Sequence, residues 1–157
     1  MLPGGNGTLV LGAYLGCRDL LDQGLIGRMP QIVAVQAAGC APLAQAFRDG
    51  QAAPAEIIGE PTIAEGIAIA RPARGAQILA AVRDSGGVIT TVTDDQVNAA
   101  HAALARAGLY VEPTAAACWA ALQAGLIDTS RPDAGPSAIA PLCGSGLKAK
   151  PPGVPAG

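Results

Sequence analysis

The sequence predicts an α/β fold in which a parallel sheet is covered by helices on both faces. Short β-branched or apolar runs alternate along the chain with longer stretches of helical period, the order that sets strands side by side with crossover helices between them. Half of the residues are hydrophobic but only 3% are aromatic, so the core must be built from Ala, Val, Leu and Ile, which let helices lie close on a sheet. The length, 157 residues, fits one domain, since ordinary domains run to about 100–200 residues.

The elements follow in order. Residues 8–23 read as a helix, with Leu9, Leu11, Leu15, Leu20 and Leu21 at apolar positions and Gly24 where a helix end often sits. Residues 31–36 read as a buried strand. Pro42 opens a second helix to about Arg48, because proline is tolerated in a first helical turn. Residues 49–61 are polar and proline-punctuated, a surface loop. Thr62 and Glu65 have the spacing of a capping box ahead of a short helix. A helix over residues 75–83 is broken by Gly86 and Gly87, and residues 88–92 are β-branched enough for a strand. Thr93 and Gln96 repeat the capping signature before a helix to about Ala107. Tyr110 and Val111 suggest a brief strand, Pro113 starts a helix to about Ala124, and residues 137–142 a final strand. The sequence contains no internal repeat or dividing linker, so residues 1–148 form one unit and the proline-rich residues 149–157 a disordered tail.

Charge and composition exclude several classes. A net charge of −2, with Lys148 and Lys150 the only lysines, leaves no basic stripe for a nucleic-acid backbone. No run of about 18 apolar residues would span a bilayer, and residues 1–5 lack the basic flank and apolar run of a signal peptide. The expected location is the cytoplasm. Cys17, Cys40, Cys118 and Cys143 are widely spaced with no C-x-x-C pair, which speaks against zinc or a redox motif and for reduced thiols. His101 falls on a helix beside apolar positions and reads as a packing residue rather than a general base.

Two segments carry chemistry. Gly4, Gly5, Asn6, Gly7 and Thr8 form a glycine-rich turn opening directly into a helix, where amides free of side-chain bulk and the helix N-terminus attract an anion; a plain turn has the same composition. Residues 141–148, Pro-Leu-Cys-Gly-Ser-Gly-Leu-Lys, form a second small-residue turn. Ligands gather outside the carboxyl ends of parallel strands, so the two turns can share one rim.

These turns, with Val35-Gln36-Ala37-Ala38-Gly39-Cys40-Ala41-Pro42, Thr62-Ile63-Ala64-Glu65-Gly66-Ile67, Ser85-Gly86-Gly87 and Tyr110-Val111-Glu112-Pro113-Thr114-Ala115-Ala116, occur in the order seen in threonine synthases. The chain thus resembles that family from Pro3 to Lys148. The resemblance implies the tryptophan-synthase-beta-like (fold type II) architecture, here an incomplete large domain, with pyridoxal 5'-phosphate as cofactor. It also implies conversion of O-phosphohomoserine and water to threonine and phosphate. Gly4, Gly5, Asn6, Gly7 and Thr8 would bind the cofactor phosphate, and Cys143 would face the pyridine nitrogen where the family usually has a hydroxyl. A thiol is a weaker donor.

The family's Schiff-base lysine lies in its N-terminal half, and neither Lys148 nor Lys150 matches it. The resemblance therefore implies no catalytic residue in this chain and an inactive protein on its own; the expected partners are a small-molecule amino-acid substrate and a separate N-terminal half or a homodimer. The alternatives are a non-catalytic truncated remnant and a threonine or serine dehydratase-like lyase. The metal-binding dehydratases place acidic ligands in the segment matching residues 36–42, which here has no carboxylate. Glu65 reads as a cap rather than a catalyst. Glu112 reads equally as a cofactor-pocket residue and as a carboxylate at a helix start.

Overall fold

The computed structural model describes residues 1–127 and 138–148. Three strands, β1 (Leu2–Pro3), β2 (Val33–Ala37) and β3 (Val88–Val92), form a parallel sheet in chain order. Leu2 pairs with Ala34 and Val33 with Val88, fixing the register. Helix α1 (Thr8–Asp22) crosses from β1 to β2, and α2 (Pro42–Arg48) and α3 (Gly75–Asp84) cross from β2 to β3. Helices α4 (Asp94–Arg106) and α5 (Pro113–Gln123) follow. Among the described residues no helix is long and apolar enough to cross a membrane.

Every residue of β2 is buried, as expected of a strand covered on both faces. Its side chains alternate. Val33, Val35 and Ala37 pack with Val97 and Leu104 of α4 and with the alanines of α5. Ala34 on the opposite side joins Leu2 and Ile89 against Val10, Leu43, Ile78 and Val82 of α1, α2 and α3. The two clusters confirm the doubly covered parallel sheet. Small side chains dominate the α5 side: Ala115, Ala116, Ala117, Cys118, Ala120 and Ala121 are almost wholly buried.

Local bonding explains where elements depart from expectation. The central strand starts at Val33 rather than residue 31, because the Ile32 amide donates to Ser85 Oγ (3.0 Å) and Gln31 Nε2 to the Gly86 carbonyl (2.9 Å). That pair is tied to the end of α3. The capping box at Thr62 and Glu65 does not form. Thr62 Oγ1 donates to Asp94 Oδ1 at 2.5 Å and accepts the Ala64 amide, while Glu65 is exposed and begins only a 3₁₀ turn, Glu65–Ile67. The second capping box is present: Thr93 Oγ1 accepts the Gln96 amide, and Gln96 Oε1 accepts the Thr93 amide. Tyr110 and Val111 give a single antiparallel bridge, Val111 to Ser145, instead of a strand.

The expected last strand is absent from residues 138–142, which are irregular; Ser137 lies outside the described residues, as does the tail from residue 149. Ile139 is 80% exposed, so this apolar stretch is not laid into the sheet. His101 is buried and meets the Tyr110 ring edge-on at 5.6 Å, a packing role.

Candidate functional site

Strand β1 runs directly into the glycine-rich turn, and α1 starts at Thr8, so the turn occupies the carboxyl rim of the sheet. Gly7, the N-cap, has φ +83°, a conformation that costs glycine little and other residues much. A side chain there would also collide with the Ile78 side chain. No side chain caps α1. The first amides of a helix have no acceptor within it, so this end presents donors and the positive end of the helix dipole.

Gly4 is fixed from the inside. Its amide donates to the Val35 carbonyl at 2.7 Å, and its carbonyl accepts Gln36 Nε2 at 2.9 Å. Gln36 is completely buried, and its Oε1 accepts the Ala44 amide at 3.0 Å. One side-chain amide thereby ties the turn to β2 and to the first turn of α2.

In front of α1 lies a cleft of about 260 Å³. Gly5, Asn6, Gly7 and Thr8 form one wall, and Gly66, Glu112, Thr114 and Cys143 line the rest. Gly4 is not a wall residue; it supports the wall from behind. Cys143 shares the cleft with the glycine turn as expected, but it follows an irregular stretch rather than a strand end.

Residues 110–114 hold the far walls in place. The Thr114 hydroxyl accepts the Gly66 amide at 3.1 Å. The Glu112 amide donates to the Gly144 carbonyl at 2.9 Å and the Gly146 amide to the Tyr110 carbonyl at 3.0 Å. The Glu112 carboxylate, about three-quarters buried, pairs with Lys148 Nζ at 3.4 Å and lies over Gly144. Lys148 is engaged outside the cleft wall, and among the described residues no lysine lines the cleft. Cys40 and Cys118 are buried away from it, and burial pushes the Cys118 thiol up to about 12.

Sequence reasoning missed Gln36, Gly66 and Thr114 as parts of this site. Gln36 did leave a signal, a lone polar side chain in an otherwise apolar strand.

A parallel α/β sheet with an uncapped helix start opening on a cleft at its strand ends defines the general class of ligand-binding α/β domains. The family model described as "Pyridoxal-phosphate dependent enzyme" matches residues 1–144, and the chain belongs to that family. Among curated relatives, the chain is 35% identical over 124 residues to a threonine synthase of Methanosarcina acetivorans, covering 78% of this chain and 31% of the relative. It is 34% identical over 153 residues to a threonine synthase of Mycobacterium leprae, covering 94% and 39%. Of solved structures, a T.th. threonine deaminase superposes with a TM-score of 0.61 at 25% identity, covering 80% of this chain and 43% of that one. A fungal L-serine ammonia-lyase from Rhizomucor miehei superposes at 0.67 with 22% identity, covering 84% and 39%. The chain thus spans less than half the length of each of those relatives, and the fold is that of fold type II pyridoxal-phosphate enzymes.

Proposed function

We propose that this chain supplies the phosphate- and ring-binding portion of a threonine synthase acting on O-phosphohomoserine and water. The observation that carries the reading is the uncapped start of α1 behind Gly5, Asn6, Gly7 and Thr8, facing Cys143 across one cleft. The threonine synthase relatives point to the same reaction.

The residues fit pyridoxal phosphate. The turn is shaped for an anion, and it lacks room for side chains: a Cβ on Gly5 would meet the Gly66 carbonyl at 2.9 Å. Amides from Gly5 to Thr8 would hold the phosphate, with α1's dipole adding attraction. Cys143 would turn its thiol to the pyridine nitrogen. The bound cofactor supplies an electron sink for charge developing on the amino-acid carbon. The chain's own share is to bind and orient. Lys148 is paired with Glu112, and a second copy of this chain would bring the same two lysines, so the amine that the cofactor's aldehyde requires would come from a separate N-terminal half, with homodimerisation a further association of the assembled enzyme. Both fit a cytoplasmic biosynthetic enzyme.

The test is chemical. The purified chain is incubated with pyridoxal phosphate, reduced with borohydride and mapped by mass spectrometry, with threonine formation assayed in parallel. The reading expects cofactor retention without a stoichiometric lysine adduct or turnover, and activity on adding the N-terminal portion of a threonine synthase. Binding no tighter than to a lysine-matched control protein would refute it.

A second reading, a threonine or serine dehydratase-like lyase, draws support from the likeness to threonine deaminase. Keto-acid rather than threonine as the product of the reconstituted protein would favour it. A non-catalytic remnant would bind the cofactor and gain nothing from the added portion.

A further inference from the structure

We infer that Gln36 is a positioning residue that locks the Gly4–Gly5 peptide in one of its two orientations and thereby aims the Gly5 amide into the cleft. The inference rests on the reading of residues 4–8 as a phosphate site and assigns a cause to its geometry.

A peptide unit between two glycines has little steric preference, so it can turn over at small cost unless something holds it. The described peptide bonds are all trans, and in a trans unit the carbonyl and the following N–H point in opposite directions. The Gly4 carbonyl points inward to Gln36 Nε2 at 2.9 Å. The Gly5 N–H therefore points away from β2, toward the cleft that Gly5 lines. Among the described residues no acceptor takes that amide.

Three contacts prevent the alternative. The Gly4 amide is fixed on the Val35 carbonyl, which anchors the turn at its first residue. Gln36 cannot swing away, because its Oε1 holds the Ala44 amide and it has no exposed surface. Reversing the peptide would turn the Gly5 N–H toward Gln36 Nε2, donor against donor, and leave that buried Nε2–H without its acceptor, at the cost of an unmade buried hydrogen bond. The same reversal would present a carbonyl oxygen instead of an N–H to an anion.

The 157-residue chain is titrated with pyridoxal phosphate, with pyridoxal, and with inorganic phosphate while amide resonances are followed. In the unmodified protein the Gly5 amide should shift on adding phosphate, and pyridoxal phosphate should bind more tightly than pyridoxal. Gln36→Met keeps the volume but removes the donor. It should weaken pyridoxal phosphate by about tenfold or more, the loss of one charge-assisted hydrogen bond, and leave pyridoxal binding unchanged.

If the unmodified chain does not prefer pyridoxal phosphate over pyridoxal, the phosphate reading fails and the inference with it. If the preference exists and survives Gln36→Met undiminished, the inference alone is overturned. Should Gln36→Met not fold, the unmodified protein decides: phosphate shifts at Gly7 and Thr8 without one at Gly5 would overturn the role given to Gln36.

Discussion

The hydroxyl of Thr114, at the start of α5, accepts the amide of Gly66 in the turn that forms the opposite cleft wall, at 3.1 Å. The bond spans 48 residues of sequence and connects two segments that the sheet does not join. Thr114→Val keeps the shape and removes the acceptor. It should lower stability by about 1 kcal/mol, the usual net worth of such a bond, and weaken pyridoxal phosphate binding. Chemical denaturation and a cofactor titration measure the two effects; unchanged affinity would mean that the wall does not depend on the bond.

Gly144 has no room for a side chain, because a Cβ there would collide with the Glu112 carboxylate. Gly144→Ala must push the carboxylate off its place or lift the segment that carries Cys143. Cofactor affinity should fall while the sheet stays intact, since Gly144 lies outside both core clusters. Circular dichroism alongside a spectroscopic cofactor titration would separate the two.

Gly7→Ala combines a left-handed backbone with a collision at Ile78. Left-handed strain and overpacking each cost about 1–3 kcal/mol, so the variant should be among the more destabilised single changes in the turn. Thermal unfolding reads this directly. A midpoint equal to that of the unmodified protein would show that the turn relaxes without penalty.

The cysteines should separate by reactivity and by pH. Cys143 is exposed and Cys118 buried, so a thiol reagent should label Cys143 in the native protein and Cys118 only on unfolding. Burial raises the Cys118 thiol from an ordinary value of 9.0 to about 12. The unfolded chain therefore loses this proton first as pH rises, and its contribution to stability, complete below pH 9, declines between about 9 and 12. Cys118→Ala should flatten that part of the stability profile; an unchanged slope would assign the loss to other groups.

The sheet and its covering helices were legible because their signals are local and repetitive. Residues 88–92 and the Pro42 and Pro113 helix starts fall where β-branching and proline place them. The capping signature at Thr62 misled because its hydroxyl is claimed by Asp94 from 32 residues away, a competition no local pattern records. The apolar stretch 138–142 misled for the converse reason: a strand needs a neighbour as well as a composition.

The same division applies at the cleft. The glycine turn could be read from sequence, and Cys143 could be brought to it by family resemblance. Thr114 and Gln36 act through contacts with segments remote in sequence, and spacing says nothing about those.

Residues 110–114 grip two walls of the cleft at once, through Tyr110 and Glu112 on the Cys143 side and Thr114 on the Gly66 side. The cleft is therefore jointed at one place. Because α5 begins at Pro113, both walls share one support, and their spacing is set where a single alanine-rich helix is seated on the sheet.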